Sequence, residues 1–466
     1  MLVYNDLTRA NEELTPLEDK HFRIYVCGPT VYDFFHLGNA RPFIVYDTLR
    51  RYLEYCGNKV TYVQNFTDID DKMIKRANNE GITVAELADR MIKEYFTDAD
   101  GLNIKRATHH PRATECIFEI IDMIKTLEAK GYAYVADDGV YFETDKFEGY
   151  GKLSHRHLDE QQEGASQRVE LTGNKRGVGD FVLWKFKKEG EPAWDSPWGE
   201  GRPGWHIECS AMNLKYLGKT VDIHGGGQDL LFPHHENEVA QSEAANDAPF
   251  VRYWMHNGFI NVNYEKMAKS AGNFFTVRDL VKRYPYEVLR FFMLQTHYRM
   301  PINFSDDLLL AATNGLERIK NCVNNLQFLA NKADNKETEI NVQISDLTAT
   351  ARKNFKQAMD NDMNTPDACA AIFELVRESN TQSTEKELTA SELQALSDTL
   401  TELCSVLGMD LQSQAKIPSE VLQLVEQRAQ AKKERNFALA DELREQIKEM
   451  GYRVEDTPQG AKVVAL

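Results

Sequence analysis

The sequence predicts an α/β fold with a parallel sheet, an insertion within the sheet region, then an α-helical bundle and a small C-terminal α+β unit. Three observations predict this order. Strand-like and helix-like segments alternate in the first part of the chain, residues from about 306 to 408 have few prolines and glycines, and two helical segments precede hairpin-like text at the end. A length of 466 residues fits two to four domains. We place them at 1–305, with an insertion at about 115–200, and at 306–408 and 409–466.

The first elements read as a βαβ unit. Phe22 to Val26 is a short apolar strand, a turn follows, and an amphipathic helix runs from about Leu37 to Tyr55. Val60 to Gln64 is the next strand, and the text TDIDDK opens another helix. Because consecutive strands joined by a helix run parallel, both strands end at the same edge of the sheet.

A second strand-to-helix unit lies further along the chain. Thr220 to His224 is predicted as a strand ending in Gly225-Gly226-Gly227, and a helix follows through His234 to Ala245. A strand, three glycines and a helix are typical of a ligand-binding edge in α/β proteins.

The insertion and the end of the chain have a different character. A helix is expected near 113–130, β-rich text follows, and the polar stretch from Ser154 to Asp180 is expected to be a mobile surface loop. In the bundle, apolar residues recur at helical spacing. The last unit carries two predicted helices and the hairpin-like text YRVEDTPQGAKVVAL.

Composition excludes several classes of protein. The 55 lysines and arginines against 72 aspartates and glutamates give a net charge of −17, which disfavours a protein that coats nucleic acid by bulk attraction. No apolar run is long enough for a membrane span, and the start lacks the features of a signal peptide, so we expect a cytoplasmic protein. The seven cysteines are dispersed without a CxxC pair, so we expect no structural disulfides. Most of these thiols are expected to be buried packing residues.

The turn after the first strand predicts a phosphate site. His36, Gly38 and Asn39 stand where a helix begins, and helix starts offer unpaired N–H groups and a positive dipole end. Gly38 allows close approach of a nucleotide, while the histidine and asparagine can donate hydrogen bonds to phosphate oxygens. A capped helix with a surface histidine would give the same pattern.

A lysine loop forms the second candidate. Lys266 and Lys269 stand three apart among small residues in the text EKMAKSAGN, a pattern suited to a cationic loop that folds over a polyphosphate. A solvated surface loop is the plainer interpretation of such a segment taken alone.

Together these two elements resemble the signature motifs of class I aminoacyl-tRNA synthetases. GWHIECSAM at 204–212, DIHGGGQDLLFPHHENEVAQSEA at 222–244 and NFTDIDDK at 65–72 resemble the cysteinyl-tRNA synthetase family specifically, and the similarity runs over nearly the whole chain. The resemblance implies a Rossmann-like catalytic domain split by an insertion, a helical bundle and an anticodon-binding domain. It also implies a monomeric ligase that uses ATP with Mg²⁺, L-cysteine and tRNA(Cys), and catalysis by His36, Asn39, Lys266 and Lys269.

This chain departs from the family pattern at two positions. Asn39 stands where the family commonly has a second histidine, and Ala268 stands where it commonly has a serine. Asn39 keeps a hydrogen-bond donor but loses a possible charge, and Ala268 lacks a hydroxyl. Both changes bear on the rate more than on the activity itself.

A metal site is predicted around one helix face. His234 and Glu238 are four apart, which allows both to reach one ion, and His235 could replace His234 by spacing alone. Cys27 and Cys209 are the thiols best placed to join them. The resemblance selects Cys27, Cys209, His234 and Glu238, a set that suits Zn²⁺ by ligand type. Such an ion would distinguish a substrate thiol from a serine hydroxyl.

The resemblance also assigns the remaining pocket residues. Trp205 and His206 are expected to wall the amino-acid pocket, and Thr67 to lie near the substrate ammonium group. Gly225 in the glycine run is expected to allow close approach of adenosine, and Asp229 to accept from a ribose hydroxyl.

Near the C-terminal end, four basic residues form a candidate patch for an RNA backbone or a solvated helix face: Arg428, Lys432, Lys433 and Arg435.

Other functions fit the sequence less well. A ligase that passes cysteine to a small amine, as in the mycothiol pathway, would share the catalytic part but lack the C-terminal unit. A zinc hydrolase fits poorly, because HHENE is not HExxH and a lysine loop serves no hydrolytic purpose. An RNA-binding protein without activity would explain neither the paired motifs nor the metal set.

Overall fold

A computed structural model describes residues 1–156, 175–262, 265–266, 275–333, 339–411, 418–457 and 460–465. Most of the predicted surface loop, and the segment that contains Ala268 and Lys269, lie outside the described residues. Contacts divide the chain into two compact units. One comprises Met1–Thr313, Lys356–Cys369 and Val406–Met409, and the other comprises Asn314–Phe355, Ala370–Ser405 and Asp410–Leu466. The domain boundaries after 305 and 408 stay predictions.

The strands are numbered in chain order. They are β1 Leu2–Asn5, β2 Ala10–Glu13, β3 His21–Val26, β4 Lys59–Gln64, β5 Ala133–Val135, β6 Gly139–Phe142, β7 Phe181–Phe186, β8 Gly201–Pro203, β9 Val221–Gly227, β10 Val251–Asn257, β11 Ile260–Val262, β12 Glu265–Lys266, β13 Ile302–Phe304, β14 Tyr452–Thr457 and β15 Gly460–Ala465.

The helices are numbered in the same way, apart from short helical turns. They are α1 Leu37–Tyr55, α2 Asp71–Glu80, α3 Val84–Gly101, α4 Ile117–Ala129, α5 Trp205–Leu217, α6 Glu236–Asn246, α7 Val277–Leu280, α8 Tyr286–Leu294, α9 Asp306–Ala330, α10 Val342–Asp360, α11 Thr365–Glu385, α12 Ala390–Val406, α13 Ser419–Lys433 and α14 Phe437–Glu449. None of the described helices is long and apolar enough to cross a membrane.

The central sheet has four parallel strands in the order β10, β9, β3, β4. The prediction of a parallel α/β sheet is therefore confirmed. Helix α1 packs on this sheet through Tyr46 and Leu49, which join Ile24 and Ile223 in one buried core. Each strand that leads into a site residue ends at the same edge, because parallel strands share their direction.

The strand that leads into the glycine run is longer than its predicted range, Thr220 to His224. Gly225, Gly226 and Gly227 are themselves part of β9, which pairs with β10 as far as Gly227 opposite Asn257. Glycines have no side chains to pack, but β9 lies between β3 and β10, whose backbone hydrogen bonds stabilise the glycine segment as a strand.

The insertion contains α4 and a separate four-stranded antiparallel sheet in the order β5, β6, β7, β8. Its core includes Ile124, Phe142 and Trp184, together with Ile207 of α5 and Ala240 of α6. This agrees with the predicted helix near 113–130 and the β-rich text that follows it.

The second part of the chain is helical, as predicted, and its last two helices precede a β-hairpin formed by β14 and β15. Val421, Val425, Ile447 and Val454 form a small core of their own between α13, α14 and this hairpin. The α-helical bundle and the C-terminal α+β unit are confirmed as elements of the fold.

Candidate functional site

A cavity of about 380 Å³ opens at the carboxyl ends of the parallel strands. Nine residues predicted for the site lie in its wall: Cys27, His36, Gly38, Asn39, Thr67, Trp205, Cys209, Asp229 and His234. Ligands of α/β proteins bind at this edge because the loops that leave the strands converge there. The fold thus brings residues from five separate segments to one place.

The first predicted motif is a helix start with defined hydrogen bonds. The N–H of Asn39 donates to Nδ1 of His36 at 3.3 Å, and the N–H of His36 donates to Oδ1 of Asn39 at 3.4 Å. Because Nδ1 of His36 accepts, a neutral imidazole carries its proton on Nε2 and can donate it to a ligand. The capped helix and the phosphate site are therefore compatible interpretations of the same residues.

Backbone hydrogen bonds join this motif to the chain that follows the lysine loop. The N–H of Leu37 donates to the carbonyl of Phe275 at 3.1 Å, and the N–H of Val277 donates to the carbonyl of Phe35 at 3.2 Å. The lysine loop leaves β12 and ends just before Phe275. Lys269 lies outside the described residues, and of Lys266 only the backbone is described.

A buried cluster of thiol, imidazole and carboxylate groups lies at the base of the cavity. The Sγ of Cys27 lies 3.8 Å from Sγ of Cys209, 3.4 Å from Nε2 of His234 and 3.4 Å from Oε1 of Glu238. Nε2 of His234 also lies 2.9 Å from Oε1 of Glu238. The four predicted ligands are therefore close enough to bind one ion.

His235 also reaches this cluster. Its Nε2 lies 3.4 Å from Sγ of Cys27, and Cys27, His234, His235 and Glu238 offer ligand atoms that all lie within 4.8 Å of one another. The two histidines differ in their other contacts, since His234 alone also contacts Glu238. Spacing alone allowed either histidine as a ligand. In the structure His234 contacts both Cys27 and Glu238, whereas His235 contacts Cys27.

A second layer of side chains holds the cluster. Nε2 of His224 lies 2.9 Å from Oε2 of Glu238, and Nδ1 of His206 lies 2.9 Å from Nδ1 of His234. His235 contacts His256 through Nδ1 at 2.7 Å, and His256 contacts Asp6 at 2.8 Å. Such outer hydrogen bonds orient metal ligands and select their tautomers.

The charges of the cluster are strongly coupled. Burial raises the pKa of Glu238, but attraction to His224 and His234 outweighs it and lowers the pKa to about 2. The hydrogen bond from Cys27 lowers the pKa of the Cys209 thiol to about 7, while burial raises that of Cys27 well above its usual value. A carboxylate and one readily ionised thiol therefore face an imidazole inside the protein.

The donor set fits a zinc ion. Two sulfurs, an imidazole nitrogen and a carboxylate oxygen are ligands that Zn²⁺ takes in proteins, and soft thiolates disfavour Mg²⁺ or Ca²⁺. Buried groups of this charge need a partner, because an unpaired carboxylate or thiolate in the interior is costly. This is the physical basis for treating the cluster as a candidate metal centre.

Of the three residues predicted for the amino-acid pocket, Trp205 and Thr67 line the cavity and His206 does not. The Trp205 ring lies 4.4 Å from the His234 ring, between centroids, and lines the cavity. Thr67 lines it too, but its hydroxyl donates to Oε2 of Glu208 at 3.0 Å and so can only accept from a ligand. His206 lies behind His234 and does not line the cavity.

The glycine run is placed in an unexpected way. Gly225 does not line the cavity, and a Cβ atom there would lie 2.3 Å from the Tyr46 ring, so its small size serves packing against α1. Gly227 lines the cavity beside Asp229. A role for Gly225 in nucleotide binding stays a prediction, whereas Gly227 is the glycine whose backbone faces the cavity.

The candidate basic patch near the C-terminal end is smaller than the sequence suggested. Arg428 is buried and donates to both carboxylate oxygens of Asp456 at 2.9 Å, and Lys432 contacts the same carboxylate at 2.7 Å. The Asp456 carboxylate therefore offsets part of the positive charge of Arg428 and Lys432. Lys433 and Arg435 are exposed and are left as the basic surface of this segment.

All seven cysteines are free thiols, as predicted. Cys56 is exposed and departs from the expectation that the remaining thiols are buried. Sequence reasoning missed the residues that support the site from behind, which are Asn65, Glu208, His224 and His256. A signal was present for three of them, since Asn65, Glu208 and His224 stand in the quoted segments that also contain Thr67, Cys209 and the glycine run. Asn65 supports the site by accepting from the N–H of Gly28 at 2.9 Å.

Comparisons with known proteins follow this geometry. Residues 13–314 match the family model described as tRNA synthetases class I (C) catalytic domain. Residues 354–412 match the DALR domain, and residues 414–463 match the cysteinyl-tRNA ligase anticodon binding domain.

Relatives match over the full length. The chain is 56% identical over 469 residues to the cysteine–tRNA ligase of Caldicellulosiruptor saccharolyticus, which covers 99% of both chains. It is 54% identical over 464 residues to the cysteine–tRNA ligase of Clostridioides difficile, again covering 99% of both.

A solved structure supports the fold alone. Methionyl-tRNA synthetase of Mycobacterium tuberculosis, in complex with methionyl-adenylate, superposes with a TM-score of 0.62 at 16% identity over 90% of this chain and 96% of that one. With identities above one half over the whole length and a matching catalytic domain, the chain belongs to the cysteinyl-tRNA synthetase family of class I aminoacyl-tRNA synthetases and is a ligase.

Proposed function

We propose that this chain activates L-cysteine with ATP and transfers the cysteinyl group to tRNA(Cys), with a zinc ion that selects the substrate thiolate. One observation carries the proposal: Cys27, Cys209 and His234 line the same cavity as His36 and Asn39. Glu238, the fourth proposed ligand, contacts Cys27 at 3.4 Å and His234 at 2.9 Å. An amino-acid thiol and a nucleotide would thus meet within one cavity.

The first step needs no protein nucleophile. The cysteine carboxylate attacks the α-phosphorus of ATP, the bond to the β-phosphate oxygen breaks, and pyrophosphate leaves. Nε2 of His36 and the Asn39 amide donate hydrogen bonds to the phosphates, while Lys266, Lys269 and the Mg²⁺ that accompanies ATP neutralise the developing charge. The backbone hydrogen bond between Leu37 and Phe275 supports this role, since it ties the end of the lysine loop to the start of α1.

The rest of the nucleotide is assigned by position. Gly38 leaves room for the phosphates at the start of α1, and Asp229 at the cavity wall accepts from the ribose hydroxyls. The proposed part of Gly225 in adenosine binding is indirect. Gly225 does not line the cavity, but it belongs to the same strand as Gly227, which does.

Selection of cysteine rests on the buried cluster. A zinc ion held there supplies a soft Lewis acid that favours a thiolate over the hydroxyl of serine and over a side chain without a ligand atom. Cys27, Cys209, His234 and Glu238 hold the ion, and His206 and His224 orient His234 and Glu238. Trp205 covers the thiol side of the pocket, and Thr67 accepts from the substrate ammonium group because its own proton is committed to Glu208.

In the second step a hydroxyl of the terminal tRNA ribose attacks the cysteinyl carbonyl, and AMP leaves. The C-terminal unit provides the anticodon contacts, which places Lys433 and Arg435 on the exposed side of its first helix. We expect a monomer, and sedimentation equilibrium at micromolar concentration tests that.

Two assays test the function together. Cysteine-dependent ATP–pyrophosphate exchange measures the first step, and charging of tRNA(Cys) measures both steps. We expect both activities, and we expect a zinc chelator to abolish the preference for cysteine over serine. Exchange without charging would instead indicate a small-amine ligase, and absence of cysteine-dependent exchange would refute the proposal.

Lys269 is the residue proposed to contribute most to the transition state. Lys269→Ala should slow adenylate formation by about two to three orders of magnitude, as the loss of a preorganised charge does in other sites, with little change in cysteine affinity. Lys219→Ala is a matched control, because Lys219 is an exposed lysine at the opposite edge of the sheet. An unaltered exchange rate in Lys269→Ala would exclude this role.

A further inference from the structure

A shallow recess of about 370 Å³ lies beside the main cavity. It is lined by residues of α2 and by one residue of the turn after β3: Tyr32, Lys72, Lys75, Arg76, Asn79 and Glu80. Tyr32 and Lys72 also line the main cavity, so the recess continues from its rim. Anything bound in the recess can therefore extend into the site where the proposed chemistry takes place.

The recess is cationic in a chain whose net charge is −17. Lys72 and Lys75 are exposed, and neither forms an ion pair within the described ranges. Arg76 differs, because it is paired with Asp33 at 2.9 Å and with Glu80 at 2.7 Å. The two lysines are thus the charges that remain available to a ligand.

Nearby carboxylates are occupied by other partners. Asp70 accepts from the N–H of Lys72 at 2.8 Å and caps α2, and Asp71 contacts Lys185 at 2.7 Å as well as Arg202. Glu80, which lines the recess, pairs with Arg76 and with Arg90. These carboxylates therefore already have partners, and Lys72 and Lys75 are the lining charges without an ion-pair partner among the described residues.

An aromatic ring accompanies the charges. Nζ of Lys72 lies 5.5 Å from the centre of the Tyr32 ring, which is partly exposed, and the exposed Asn79 also lines the recess. Lysines that contact phosphates, next to a ring on which a base can stack, are the features with which proteins bind single-stranded nucleic acid.

We propose that this recess binds the single-stranded 3′ end of the tRNA as it enters the cavity, with Lys72 and Lys75 on its phosphates and Tyr32 against a base. The proposal rests on the proposed function, since only a ligase that acylates RNA must bring a strand to this rim. A nucleoside triphosphate offers the same phosphate chemistry. It is a substrate of the first step, so its binding can be measured separately from that of tRNA.

The test uses the full-length enzyme with Lys75→Glu, because Lys75 lines the recess and not the main cavity. Lys219→Glu is the control, since it makes the same change in net charge at the opposite edge of the sheet. We measure KM for tRNA(Cys) in charging at several salt concentrations, and KM for ATP and kcat in cysteine-dependent pyrophosphate exchange. Lys75→Arg serves as the conservative variant.

In Lys75→Glu we expect KM for tRNA to rise several-fold, with exchange unchanged. The slope of log affinity against log salt should fall by about 0.7, the value for one phosphate contact to a single strand, and Lys75→Arg should restore both values. Lys219→Glu should leave them as in the unaltered enzyme.

Three results would overturn the proposal. A rise in KM for ATP equal to that for tRNA would assign the recess to the nucleotide. An effect of the same size in Lys219→Glu would show bulk charge alone, and no change in either assay would show that the recess binds neither ligand. Failure of exchange in the unaltered enzyme would instead refute the proposed function, so the two failures are distinguishable.

Discussion

Nδ1 of the half-buried His206 lies 2.9 Å from Nδ1 of the buried His234. Two ring nitrogens at this distance share one proton, so one of them must accept. When His234 donates from Nδ1, loss of its other ring proton, which metal binding requires, leaves a lone pair on Nε2 that faces Cys27 and Glu238. His206 thereby selects the tautomer in which His234 can bind a metal ion.

This relationship predicts the effect of removing His206. His206→Ala should weaken zinc affinity by about 10- to 100-fold, the usual effect of losing an outer hydrogen bond to a metal ligand. Competition with a chromogenic chelator measures the affinity. His21→Ala is the control, because His21 lies at the start of β3, at the far edge of the sheet. Equal affinities for the two variants would contradict the role assigned to His206.

The metal content of two variants separates the neighbouring histidines. We expect His234→Ala to lose its zinc, because Nε2 of His234 contacts both Cys27 and Glu238. His235→Ala should retain about one zinc ion per chain, since His235 contacts Cys27 alone among the proposed ligands. Elemental analysis of the purified proteins measures this. Loss of zinc in His235→Ala with retention in His234→Ala would reverse the assignment.

Arg41 is predicted to position the part of the cavity wall that contains Gly258 and Phe259. It is buried in α1 and donates to the carbonyls of Gly258 at 2.7 Å and Phe259 at 2.9 Å, and also to those of His297 and Met300. Gly258 and Phe259 line the cavity. Arg41→Met would leave buried carbonyls without donors and should lower the free energy of unfolding by about 3 kcal/mol.

A positioning role for Arg41 has a kinetic signature as well. KM for ATP should rise in Arg41→Lys while KM for cysteine stays near its original value, because the metal cluster is held by other residues. Arg377→Met is the control, since Arg377 is exposed, pairs with Glu378 on its own helix and should contribute less than about 1 kcal/mol. Parallel changes in both KM values would indicate a general loss of structure instead.

His110 makes the stability of the protein depend on pH. Nδ1 of His110 donates to the carbonyl of Gln64 at 3.0 Å and Nε2 accepts from the N–H of Ala107 at 3.0 Å, which requires the neutral ring. Burial lowers the pKa of His110 to about 4. In the unfolded chain the pKa is about 6.5, so between these values the unfolded state binds more protons and stability rises with pH.

The contribution of His110 is therefore fully present above about pH 6.5 and is lost as the pH falls toward 4. It amounts to about 3 kcal/mol in the free energy of unfolding. Urea unfolding of the protein and of His110→Gln at pH 7 and pH 4.5 measures it, with the difference between the two expected to shrink at the lower pH. A difference independent of pH would show that the ring is not held neutral.

Much of the fold follows from local patterns. The bounds of α1 were predicted closely because His36 and Asn39 cap this helix and its apolar residues recur at helical spacing. Helix α2 begins within the text TDIDDK, as predicted, with Asp70 as its cap. The same holds for β3 and β4, whose short apolar runs are buried between helices. The predicted range of β9 stopped short of the glycine run because a glycine strand has no side-chain pattern, and only its pairing with β10 reveals it.

The sequence by itself determined the residue types of the site and the segments that carry them, since two lysines, a helix start and a set of sulfur, imidazole and carboxylate ligands have few uses together. The tertiary structure decided how they pair. In the structure His206 contacts His234, and the Tyr46 ring packs against Gly225, where a side chain would clash. Arg428 forms an ion pair with Asp456. These outcomes depend on contacts between distant parts of the chain, which burial and charge pairing select and which no local pattern encodes.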